Sequence, residues 1–260
     1  MANLDIREWL LTNGLGSFAS GTVSDIRTRT YHGWLFAATN PPTERKLLLS
    51  HLEASLEISG KVLALGTNFW IDGQIEPQGY KYLRHFDANP TPKWIWGEEN
   101  WELSRRLVMP NARENGAFRH RALIQYGYEG KSNGILRLRL FIADRNFHHQ
   151  QRVNSQLQFS QLVGEKQVYL QAIAKEWFGT PWYLRWSDGE YQSDGIWYWN
   201  YGLAEETQRG LKDCEDLYSP GYLSINLQPG DTVILEAGTG LPASSPTPLT
   251  RDVFTIAIEQ

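Results

Sequence analysis

The sequence predicts an all-β protein of large antiparallel sheets, folded as a sandwich or a barrel. Three observations predict it. Apolar residues recur at every second position over many short stretches, as in strands with one dry and one wet face. Dipeptides suited to tight turns separate those stretches. Helix signal is scarce.

The first clear strand is 51–58, where Leu52, Ala54, Leu56 and Ile58 alternate with Glu53, Ser55 and Glu57. Residues 101–108 read the same way. In 135–142, Leu136, Leu138, Leu140 and Ile142 alternate with Arg137, Arg139 and Phe141. Residues 156–159, 167–173, 222–227 and 232–236 follow the pattern. The turns are Ser59-Gly60, Asp72-Gly73, Asn115-Gly116, Asn133-Gly134, Asp188-Gly189, Asp194-Gly195 and Pro229-Gly230. Gly and Asn accept the positive φ that hairpin turns demand.

The best helix candidate is 202–215, GLAEETQRGLKDCE, with Leu203, Thr207 and Leu211 on one face at four-residue spacing. Gly210 and the short length limit it to a few turns. Residues 241–251, LPASSPTPLTR, read as a linker or an extended edge. Beyond them Phe254, Ile256 and Ile258 form one face of a final strand, or the chain enters a second domain there. One domain thus covers 1–240, and 241–260 form a linker or a last strand.

At 260 residues the chain fits a single large core. The 11 Trp, 12 Tyr and 10 Phe suit a sheet core first, and sugar faces second. Net charge is −4, with both signs spread along the chain, so nucleic acid is not an expected partner. No apolar run reaches the length of a membrane span. The N-terminus carries no export pattern, and Cys214 is the single cysteine. A cytoplasmic location is the expectation.

Metal, phosphate-loop and dinucleotide motifs are absent, so no metal or cofactor is expected. His148-His149 are adjacent and point apart on regular structure. A glycosidase needs two carboxylates, and Glu98, Glu99, Glu205, Glu206, Asp213, Glu215 and Asp216 are available. Residues 27–34, RTRTYHGW, read as extended, with Arg27, Arg29, Tyr31 and Gly33 on one face and Thr28, Thr30, His32 and Trp34 on the other. In 197–216, Glu206 and Arg209 are spaced to pair on a helix, and Glu205 competes for Arg209.

Four ordered blocks resemble the N-terminal domain of prokaryotic glycogen debranching enzymes. Residues 8–37, EWLLTNGLGSFASGTVSDIRTRTYHGWLFA, are similar to the family's E-W-L-x-T-N-G-x-G-x-Y-A-S-G-T-V followed by N-T-R-x-Y-H-G-L-L. Residues 77–86, PQGYKYLRHF, and 139–148, RLFIADRNFH, are the second and third blocks. Residues 206–221, ETQRGLKDCEDLYSPG, resemble E-x-x-R-G-x-x-x-x-E-D-L-x-x-P-G. Ser17, Phe18, Arg27 and Trp34 depart from the family's common Gly, Tyr, Asn and Leu.

The resemblance implies a β-supersandwich, galactose mutarotase-like, with few short helices. It implies a role in α-1,6-glucosidic hydrolysis of glycogen branches, performed by a catalytic (α/α)6 toroid that this chain does not include. No catalytic residue therefore transfers to it. The implied partners are that catalytic domain, in cis or trans, and an α-glucan. The matched motifs nominate Asn13, Arg29, Tyr31, His32, Arg145, His148, Glu206, Arg209, Glu215 and Asp216 as substrate or domain contacts, or as an internal polar network. An uncovered apolar or aromatic patch is expected where the toroid sits. Two other readings remain: a glucan-binding module stacking sugars on Trp94, Trp96, Trp101, Trp182, Trp186, Trp197 or Trp199, and a sugar epimerase using His120, His148 and Glu206.

Overall fold

The computed structural model describes residues 4–111, 113–114, 117–241 and 247–259, with backbone alone at 113, 114, 117 and 118. The Asn115-Gly116 turn lies outside the described residues, as do 242–246 of the expected linker.

The chain opens with β1 (Glu8–Thr12), β2 (Phe18–Thr22), β3 (Gly33–Asn40), the long β4 (Glu44–Ile58) and β5 (Lys61–Ala64). A separate hairpin, β6 (Thr67–Phe69) and β7 (Ile75–Gln78), follows. Then come β8 (Leu83–Asp87), β9 (Lys93–Glu98), β10 (Trp101–Val108), the ribbon β11 (Arg113–Glu114) and β12 (Ala117–Phe118), β13 (Arg121–Gly130) and β14 (Gly134–Asn146). Next are β15 (Leu157–Gly164), β16 (Gln167–Ala174), β17 (Trp177–Phe178), β18 (Trp182–Trp186) and β19 (Glu190–Gly202). The chain finishes with α1 (Ala204–Gln208), β20 (Cys214–Leu227), β21 (Thr232–Thr239) and α2 (Arg251–Glu259).

Two large antiparallel sheets result. One runs β1-β2-β3-β4-β14-β20-β19, with β5 on β4. The other runs β15-β16-β18-β21-β13-β10-β9-β8, with β17 on β16. The alternation read from the sequence sets their facing sides. Leu136, Leu138 and Leu140 pair across β4 with Leu56, Ala54 and Leu52. They pack in one core with Leu103 of β10, Ile124 and Tyr126 of β13 and Leu235 of β21. This is an all-β sandwich whose core lies between the sheets.

Five of the seven tryptophans considered for sugar stacking belong to that core: Trp94, Trp96, Trp101, Trp182 and Trp186. They have no free face to offer. Trp199 is exposed, and Trp197 packs against Phe159 and Tyr218. A buried cation is set among the core rings. Arg105 stacks over Trp94, Trp34 and Trp96 at 4.0, 4.4 and 4.9 Å and donates to both carboxylate oxygens of Asp25.

Three expectations change. Asp194-Gly195 is no hairpin; it lies inside β19, where the register shifts between Ser193 and Ile196. The Tyr218 hydroxyl sits against Gly195 and leaves no room for a Cβ. The 202–215 helix shrinks to α1. Gly210, at φ +67°, ends it: the Gly210 and Leu211 amides bond back to the carbonyls of Thr207 and Glu206. Leu211 is consequently turned out to solvent.

The last segment is helical and not a strand. Phe254, Ala257 and Ile258, at three- and four-residue spacing, cover Val108, Leu123 and Ile234 on the outside of the second sheet. Ile256, which a strand would align with Phe254, is exposed. Among the described residues, no helix is long and apolar enough to cross a membrane.

Candidate functional site

The outer side of the first sheet carries a second cluster: Phe36, Leu47, Phe141, Ala143, Tyr201 and Leu217, with Phe18, Trp70, Phe147 and Tyr198 packed against it. Around it parts of three of the four matched motifs meet. The 23–32 loop, the end of β14 with the 147–153 loop, and α1 with the start of β20 converge there.

Glu215 is the centre. Its carboxylate is 0% exposed and is bonded by Arg27 and by Arg145. The Gln151 amide donates to it at 3.1 Å. Burial alone raises this carboxyl, but Arg145 and Arg27 outweigh burial and hold it below its ordinary value. Arg145 also donates to the Thr30 carbonyl at 2.8 Å, tying β14 to the 23–32 loop. Alternation along β14 puts Arg145 on the same face as Phe141 and Ala143, toward this cluster.

The neighbouring carboxylates are saturated in the same way. Glu206 accepts the Thr30 amide at 3.0 Å and pairs with Arg209 at 3.3 Å. Asp216 accepts the amides of Val153 and Asn200, each at 2.9 Å, and pairs with Arg152. Glu215 and Asp216 are shut off from solvent and fully engaged, so neither stands ready to move a proton for a substrate.

The 27–34 segment is not a strand through its first half. A turn closes there, with the His32 amide bonded to the Arg29 carbonyl. That breaks the two-face alternation: Arg27 goes inward to Glu215, while Arg29 goes outward to Glu8 and Glu205. His32 is buried. Its Nδ1 accepts the Thr28 amide, so Nε2 carries the proton toward Glu8 at 3.3 Å. That bond and the one from Arg29, opposed by partial burial, hold the Glu8 carboxyl down at about 2.

The ten nominated residues divide by depth. Asn13, His32, Arg145, Glu206, Glu215 and Asp216 are buried. Arg29, Tyr31, His148 and Arg209 reach the surface. Asn13 is apart from the Glu215 network. Its Oδ1 accepts the amides of Leu15 and Ser17, and its Nδ2 contacts His120 Nδ1 at 3.1 Å. Asn13 Nδ2 can only donate, so His120 Nδ1 accepts, and Ser17 Oγ, which accepts the Ala38 amide, donates to the same nitrogen. The T-N-G-x-G motif is therefore a turn braced against the segment entering β13.

Tyr31 is half-buried at the surface and has fixed neighbours. Its hydroxyl is 2.9 Å from His148 Nδ1 and its ring leans on Phe147. It forms a wall of two hollows. One, of about 850 Å³, is lined by Tyr31, His148, Gln150, Arg152, Glu206, Leu211, Lys212 and Asp213. The other, of about 580 Å³, is more apolar and includes Leu10, Phe18, Arg45 and Phe147. Leu10 is 64% exposed there. His148 and Glu206 share the larger hollow, whereas His120 does not line it, so the grouping of three considered for epimerase chemistry does not assemble.

Sequence reasoning missed Arg27, Thr30, Gln151 and Arg152 as members of the network. Gln151 and Thr30 enter through backbone groups, which leave no mark in side-chain chemistry.

A family model described as "Glycogen debranching enzyme N terminal" matches residues 7–234. No curated protein matches the chain significantly. Among solved structures, a polysaccharide lyase aligns with 94% of this chain and 34% of its own, at 10% identity and a TM-score of 0.41. The chain thus spans about a third of that protein's length.

Proposed function

The chain belongs to the glycogen debranching enzyme N-terminal family, and from that premise we propose that it is the non-catalytic sandwich domain of a debranching α-1,6-glucosidase. The observation that carries this reading is the extent of the family match, 7–234 of 260 residues. The saturated carboxylates support the non-catalytic part. In this reading the domain supports a catalytic toroid and shapes the approach of an α-glucan. Tyr31, His148, Arg29 and Arg209 are the contact residues, because they alone of the ten nominees reach the surface. The buried six hold the loops that present them. A cytoplasmic setting belongs to the same proposal and is supported by the single cysteine.

The test is glucose release from a glycogen limit dextrin. This chain alone is expected to release none, and the same domain joined to a family catalytic domain is expected to release it. Tyr31→Ala in the joined protein is expected to raise KM or lower kcat without unfolding the sandwich. Glucose release by this chain alone would sink the reading.

A further inference from the structure

Beside Glu215, three buried polar atoms have no hydrogen-bond partner among the described residues: Arg27 Nη1, Tyr201 Oη and His51 Nε2. They come from three elements, the 23–32 loop, β19 and β4. They gather about one ring. The Arg27 guanidinium carbon lies 5.9 Å from the Tyr201 ring centroid, and the His51 ring meets the same ring edge-on at 6.3 Å.

The surrounding walls are aromatic. Phe141 stacks on His51 at 4.7 Å, and Trp70 lies 4.6 Å from Tyr201. A backbone bridge between Trp70 and Tyr201 fastens the β6–β7 hairpin over this part of the sheet. Bulk solvent therefore does not reach the three atoms, and buried polar groups of this kind are satisfied from within the fold.

Hydrogen-bonding capacity selects the ligand. Arg27 Nη1 only donates, whereas Tyr201 Oη donates and accepts. Ser50 Oγ lies 3.0 Å from His51 Nδ1, so His51 Nε2 donates or accepts according to which of the two holds the proton between them. A metal cation is repelled by Arg27. An anion only accepts, so it fits only the tautomer in which His51 Nε2 carries the proton. Water gives and takes in either histidine tautomer.

We propose that Arg27 Nη1, Tyr201 Oη and His51 Nε2 form an internal water site beneath the β6–β7 hairpin, where ordered water bridges the 23–32 loop to β4 and β19. The site joins the loop that carries Tyr31 to the sheet behind it. It does not depend on the debranching reading.

The test has two arms on the full chain. A high-resolution crystal structure, with crystals soaked in bromide, is expected to show water density within hydrogen-bond distance of Arg27 Nη1 and Tyr201 Oη and no anomalous peak. An anomalous bromide peak there would make it an anion site and overturn the proposal, as would a site without density. The second arm is Tyr201→Phe, which keeps the ring packing and removes the hydroxyl alone. A lowered melting temperature is expected, because bridging water loses a partner. An unchanged or higher melting temperature means that the hydroxyl had no partner to lose, and overturns the proposal.

Discussion

Arg145 and Glu215 stand 70 residues apart in the chain and are ion-paired with both side chains buried. The pair joins β14 to β20, and Arg27 adds the 23–32 loop to the same carboxylate. Removing one member leaves buried charge without compensation. Glu215→Gln is expected to destabilise the fold by about 3–5 kcal/mol, read from urea unfolding. Arg209→Ala, whose side chain is 51% exposed, is the contrast: Glu206 keeps the Thr30 amide, and the cost is expected to be smaller. Equal effects would mean that depth does not decide the strength of this network.

Acid is expected to unfold the protein through Glu8 and Glu215. Both carboxyls are lowered in the folded state, Glu8 from an ordinary 4.5 to about 2. In the neutral range folded and unfolded chains both carry the charge, and the stabilisation is complete. As pH falls below about 4.5 the unfolded chain binds protons first, so stability falls until the folded carboxyls also protonate. Melting temperature followed from pH 6 to pH 3 is expected to drop, and to drop less in Glu215→Gln. A flat profile in the parent chain would contradict the lowered values.

Arg105 is expected to resist replacement by lysine. Its guanidinium lies over three indole rings and bonds Asp25 at 2.6 and 2.8 Å. An ammonium keeps the charge but loses the flat stacking face and the two-pronged bond. Arg105→Lys is expected to cost about 2–4 kcal/mol, with a change in tryptophan fluorescence from the loosened ring cluster. A cost below about 1 kcal/mol would show the stacking to be incidental.

The terminal helix is expected to detach before the sandwich does. It is held through Phe254 and Ala257 at the outer face of the second sheet, and by Arg251 bonding the Gly230 carbonyl. Phe254→Ala removes its largest buried group. Amide exchange within 251–259 is expected to accelerate while β13 and β21 stay protected. Simultaneous loss of protection in all three would make the helix part of the cooperative core.

Local pattern was enough to read the strands in which apolar and polar residues alternate cleanly. The alternation in 51–58 and 135–142 survives in the structure because one buried face and one wet face are imposed on any strand that covers a core. The same rule misled at the C-terminus. Phe254, Ile256 and Ile258 fit a two-residue period, while Phe254, Ala257 and Ile258 fit a helical one, and nine residues are too few to choose between them. The second sheet decided, by offering Val108, Leu123 and Ile234 as a surface for a helix. Asp194-Gly195 failed for a related reason: its glycine answers to Tyr218 across the sheet and not to a turn.

For the site, the motif residues were legible in the sequence, but their partners were not. The resemblance to the family's motifs nominated Arg145, Glu206 and Glu215 among ten residues, and spacing alone suggested only the Glu206–Arg209 pair. Nothing local separated Arg27, which goes inward, from Arg29, which goes outward. That difference arises from a turn at 29–32 and a carboxylate 188 residues away. The sequence by itself determined the fold class, the turn chemistry and the residue types of the network. Tertiary structure alone decided depth, pairing and which residues face solvent, because these follow from long-range contacts that single-chain periodicity does not carry.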